Sequence, residues 1–232
     1  MQARTLALQS EFHDQVIERT MRSMKNPSAL VLAVVLTACI VASGCLFNTG
    51  GGPDFTVKIN ARSNIFRAGT GDADANGGGE APASVSFAPH AGLLLTFTKV
   101  NGRVSCCGEG ETLNDADGGE FAGGVTNVES AGGISGITHP NKTMFLVGVF
   151  TDNSAAKLPG PTRLDATDPR NLTPELFQSF FIGTGKGKQI QVPSTATRLI
   201  LGFADGYSFT GAPGSYDDNV GELTANFSIK PK

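Results

Sequence analysis

From Asp54 onward, apolar and polar residues alternate with a period of two. Phe55, Val57 and Ile59 are separated by Thr56 and Lys58; Val85 with Phe87, and Leu93, Leu95 and Phe97, repeat the spacing. Residues 179–182, 189–192 and 223–229 carry further short apolar stretches. Alternation of this kind puts one face of an extended segment against a core and the other in water. Two stretches differ: residues 144–150 and 198–203 are nearly continuous apolar runs, as expected of central strands buried on both faces. Gly, Pro, Asn and Asp clusters separate the segments, so the pattern predicts eight or nine strands in an antiparallel β-sandwich. One short helix is expected at Pro174-Glu175-Leu176-Phe177, with Thr173 as its cap. Residues 68–82 and 108–140 are expected to be long loops, and residues 183–188 a hairpin turn.

Composition supports the all-β expectation. Thirty Gly and twelve Pro mark a chain rich in turns, and fifteen Phe against no Trp supply the large apolar groups. The formal charge of −3, with no basic stripe, gives nucleic acid no electrostatic foothold. The length fits one ordinary domain plus a leader.

The leader is expected over residues 1–45. Lys25 precedes an apolar run from Ala29 that is too short for a comfortable membrane span. Ala42-Ser43-Gly44 before Cys45 resembles a bacterial lipobox, which implies lipidation at Cys45; Leu36-Thr37-Ala38 before Cys39 offers an alternative. An uncleaved anchor and an ordinary signal peptide are the other readings. Glu11, Asp14 and Glu18 are unusual ahead of an export signal, and a start at Met21 or Met24 would give a conventional leader. Residues 46–53 form a Gly-rich tether, and the folded domain spans 54–232. The expectation is an exported cell-envelope lipoprotein, at the outer membrane or cell surface, or released. Leu46 after the lipidated position resembles outer-membrane sorting.

After such processing, Cys106 and Cys107 remain, adjacent and in a compartment that permits disulfides. They form either a vicinal disulfide or two buried thiols.

Hard oxygen donors gather near the C-terminus. Asp205 follows the apolar run 198–203, and Asp218-Asn219 precede the last alternating segment. Two carboxylates and an amide at the ends of paired strands, drawn together by a hairpin-like return, suit Ca²⁺, which takes six to eight oxygen ligands. Turn-forming residues with no ligand are the alternative. Asp72, Asp74 and Asn76 match half of an EF-hand loop, but Ala83 stands where the bidentate Glu belongs. Asp115 and Asp117, near Glu109, Glu111 and Asn114, form a second acidic turn: a solvated loop or a pocket wall. His90 and His139 each adjoin a Pro and have no zinc-spaced partner, and no Gly-x-Ser-x-Gly elbow is present. Nothing forms a credible catalytic constellation.

Residues 196–206 followed by Asp218-Asn219-Val220-Gly221-Glu222-Leu223 resemble the C-terminal signature of the PA-IL type of calcium-dependent, galactose-binding bacterial lectin, and more closely a set of exported proteins with such a domain. Residues 63–66, 144–150 and 177–183 also look like that set. The resemblance implies a small jelly-roll sandwich with one Ca²⁺ at its end, completed by sugar hydroxyls. Carried over by position, it implies Asp205, Asp218 and Asn219 as side-chain ligands and the carbonyls of Ser215 and Cys107 as backbone ligands. Here the loop after Asp205 is longer, inserting residues 207–213, so Tyr207 either faces the sugar or packs as a lid. The His- and Gln-bearing loop that grips the sugar in that family has no clear counterpart in residues 108–140, where Asp117, Glu120 or His139 would have to stand in. The implied function is non-catalytic, calcium-dependent carbohydrate binding by a membrane-anchored protein. The rival is a surface module in which calcium is purely structural.

Overall fold

The computed structural model describes residues 54–69, 77–108, 110–164 and 170–232. The leader, the tether, Cys39, Cys45 and the EF-hand-like Asp72, Asp74 and Asn76 lie outside the described residues. Within them the protein is all-β, with four short 3-10 turns and no α-helix.

One sheet holds five strands, β1 (Asp54–Asn60), β12 (Val220–Pro231), β3 (Leu93–Ser105), β9 (Gln189–Gln191) and β7 (Asn171–Leu172), in that spatial order. Only its β7–β9 edge is parallel. A second, wholly antiparallel sheet runs β2 (Ala83–Ser86), β10 (Arg198–Gly202), β6 (Val147–Thr151), β8 (Ser179–Phe181). A small third sheet runs β11 (Thr210–Gly211), β4 (Thr126–Val128), β5 (Ile137–His139).

The alternating and continuous apolar patterns acquire different causes. β12 alternates buried and less buried residues, with Leu223, Ala225, Phe227 and Ile229 inward. These pack with Leu95 and Phe97 of β3 and with Phe150, Leu199 and Leu201 of the second sheet in one cluster. The two larger sheets therefore share a core in the manner of a β-sandwich. Every residue of β6 is buried. Its other face, with Val147 and Val149, joins Ile200 of β10 in packing against Val128 and Ile137 of the third sheet and against Ile65 and Phe66. A strand covered on both sides needs no polar face, hence the unbroken run.

Several local expectations fail. No helix forms at 174–177: Leu176 bridges Phe150, Phe177 sits at φ 62°, and its N–H donates to the Phe150 carbonyl at 2.8 Å. Pairing to a buried strand outweighs a four-residue helix that could make few hydrogen bonds of its own. Residues 108–140 are not a plain loop, since they contribute β4, β5 and a 3-10 turn. Residues 183–188 link β8 to β9, which lie in different sheets, so they form a crossover and not a hairpin. The run at 144–150 becomes strand only from Val147, after Met144 at φ 53°.

Candidate functional site

The ends of β10 and the start of β12 define the site. These strands are not partners; they belong to opposite sheets. The chain between them crosses from one sheet to the other at one end of the sandwich. The return is pinned by a bridge between Gly206 and Pro213 and by the Gly214 N–H donating to the Asp205 carbonyl at 3.0 Å. β12 then pairs Val220 with Ser105 of β3, bringing Asn219 beside the Cys106–Cys107 segment. The Gly108 N–H donates to the Asp218 carbonyl at 2.8 Å, tying that segment to the last loop.

Asp205 is 2% exposed. Its Oδ2 accepts from Asn219 Nδ2 at 2.8 Å and its Oδ1 from the Gly206 N–H at 2.7 Å. Burial pushes its carboxyl up to about 7 against the pull of those two hydrogen bonds, and the nearby Asp218 charge adds to the rise. Among the described residues no Lys, Arg or His forms an ion pair with it. Asn219 is equally enclosed: Nδ2 also donates to the Ala61 carbonyl at 3.3 Å, while Oδ1 is buried with no hydrogen-bond partner. The pair is thus enclosed with no cationic side chain on the carboxyl and with one amide oxygen unpaired.

Asp205 and Asp218 border a recess of about 220 Å³ together with Ser215, Cys107, Tyr207 and Ala122. Ser215 and Cys107, whose carbonyls the lectin resemblance implicates, have φ of 63° and 72°. Ser208, Phe209 and Ala122 on the same recess also have positive φ. Left-handed backbone costs a non-glycine residue about 1–3 kcal/mol and gathers at ligand clamps. Of the seven such residues described, five line this recess, so the strain is concentrated here.

Tyr216, which sequence reasoning passes over, is the hidden support. It is buried, its hydroxyl accepts from the Asp205 N–H at 3.0 Å and donates to the Phe203 carbonyl at 3.1 Å. Burial raises its own ionisation well above the usual phenol range, so it stays neutral. A tyrosine inside Ser215-Tyr216-Asp217-Asp218-Asn219 was the available signal: an aromatic amid turn residues needs a place to bury. Cys106 and Cys107 are joined as a vicinal disulfide and line the same recess.

Other residues singled out in the sequence lie elsewhere. Asp117 accepts from the Thr184 N–H at 2.7 Å and from Thr184 Oγ1 at 3.2 Å, which fixes the crossover after β8. His139 forms a tilted three-ring cluster with Phe145 at 5.3 Å and Phe181 at 5.1 Å, and burial with nearby Lys142 and Lys188 lowers its pKa. Neither borders the recess, and nor does Glu120.

The donor set is all hard oxygen: carboxylate, amide and carbonyl. It fits Ca²⁺ better than zinc, since no imidazole or thiolate is offered. Among the described residues no three His, Cys, Asp or Glu side chains cluster, so a cation here would depend on the amide and carbonyl oxygens. Comparison of the chain with protein-family models, curated proteins and solved structures finds no match.

Proposed function

We propose that this protein is a non-catalytic, calcium-dependent carbohydrate-binding protein of the PA-IL-like kind, with a jelly-roll sandwich, lipid-anchored through Cys45 at the cell envelope. The observation that carries this is the enclosed Asp205–Asn219 pair, with its uncompensated carboxylate and unpartnered amide oxygen. Ca²⁺ would supply the missing charge and leave coordination positions for a vicinal diol, whose neutral oxygens replace water. Asp205, Asn219 and Asp218 would hold it through side chains, and Ser215 and Cys107 through carbonyls. Tyr216 bonds the Asp205 N–H, and the left-handed turns at Ser215 and Cys107 would set the direction of the two carbonyls.

The test is retention on a glycan panel with calcium and with EDTA. Binding that appears only with calcium is expected. Calcium uptake with no glycan retained would favour the second reading, a structural ion stapling loops. That reading draws on the way Asn219 already ties Ala61, Asp205 and the start of β12 together.

A further inference from the structure

The recess beside Asp205 has two unlike sides. Asp205, Asp218 and Ser215 offer oxygen. Cys106, Cys107, Ala122 and Tyr207 offer sulfur, methyl and aromatic surface. Cys107 is exposed while Cys106 is 2% exposed, so the bonded pair is seated on the core and shows one side to the opening. Tyr207 is 84% exposed, the most open of the large apolar residues described, and it borders the same opening. Its backbone is set: buried Phe209 anchors the turn, the Phe209 N–H donates to the Gly206 carbonyl at 2.8 Å, and Thr210 Oγ1 donates to the Tyr207 carbonyl at 3.3 Å.

A disulfide ordinarily stabilises by closing a loop in the unfolded chain, and the effect shrinks with loop length. Between residues one apart there is almost no loop to close. Stability therefore does not account for this bond. What it does provide is a rigid, polarisable, uncharged surface in place of two thiols that could oxidise or bind soft metals.

We propose that the Cys106–Cys107 disulfide is a ligand-contact surface: the apolar wall, with Tyr207, against which a pyranose ring lays its C–H face while its hydroxyl edge meets the cation side of the recess. This rests on the carbohydrate reading above and names what part of the sugar the site selects. A pyranose is amphipathic in that sense, with hydroxyls at the rim and C–H groups on a face. An open-chain alditol carries the same vicinal hydroxyls but no such face. The wall makes the site a selector of rings over open chains.

The test uses the full chain with saturating calcium, titrated with methyl pyranosides of galactose, glucose, mannose and fucose and with the corresponding alditols. Wild type should prefer at least one pyranoside over its alditol. Cys106→Ala/Cys107→Ala, titrated at calcium concentrations that saturate the variant itself, should lose about five- to tenfold of that pyranoside affinity, the size expected of one apolar ring contact, with no matching loss for the alditol. Tyr207→Ala, at an exposed position, should erode the same preference. In folded wild-type protein with protonated cysteine Hβ in a deuterated background, nuclear Overhauser contacts should join those protons to sugar C–H protons. That measurement decides the matter if the double variant does not fold. Unchanged pyranoside affinity in a folded double variant, or no cysteine-to-sugar contact in wild type, overturns the wall and leaves the carbohydrate reading standing. Retention of no pyranoside by wild type with calcium overturns both.

Discussion

Asp205 sets the chemistry of the site. Its carboxyl is raised to about 7 from an ordinary value of 3.8, chiefly by burial. Because the folded value lies above the unfolded one, the protonated group favours folding. That contribution is fully present below about pH 4, declines as pH rises, and is gone above about pH 7. In chelator, the wild-type melting temperature should therefore fall between pH 5 and pH 8 by roughly 5 °C or more relative to Asp205→Asn, which keeps the shape and removes the ionisation. Thermal unfolding of both across that range checks it; parallel profiles would mean the carboxylate is not enclosed. Asp205 and Asn219 stood out in sequence as oxygen donors at the two ends of one return, although Asp and Asn are ordinary turn residues, and the structure joins their side chains at 2.8 Å. Tyr216 was not, since a lone tyrosine looks like core until its hydroxyl is seen bridging Asp205 and Phe203.

Among the elements, β12 carries both the core and the site. Its alternation was readable because one face meets the core and the other does not. Gly221 shows what the alternation could not reveal. It has φ of 100°, and a Cβ there would lie 2.2 Å from the Arg103 carbonyl oxygen. Gly221→Ala should destabilise the protein by about 1–3 kcal/mol and weaken calcium binding as well, because the distortion falls two residues from Asn219. Denaturant unfolding and calcium titration of the variant measure the two effects; a neutral substitution would show that the β3–β12 register does not position the amide. The helix expected at 174–177 failed for a related reason. A proline at the first turn and a threonine cap are local signals, and Leu176 bridging a buried strand is not visible locally.

For the molecule as a whole, the two-sheet core was legible and the third sheet was not. β11 has two residues and β4 and β5 have three each, too short for a period to show. The same limit hid the origin of the site. Asp205 and Asn219 do not meet across a hairpin; they meet because β10 in one sheet and β12 in the other end side by side where the chain crosses over. The disulfide joins them through the pairing of β3 with β12. Convergence of three segments is a tertiary fact: it brings Asp205, Asp218 and Ser215 to one recess, with Asn219 outside its lining and hydrogen-bonded to Asp205. The most direct test is calorimetric titration of calcium into the protein at several pH values. The account predicts a single site whose affinity weakens about tenfold per unit as pH falls below 7, as a proton competes for the Asp205 carboxylate, and which Asp205→Asn abolishes. Absence of binding heat at pH 7.5, or affinity unchanged in Asp205→Asn, would contradict it.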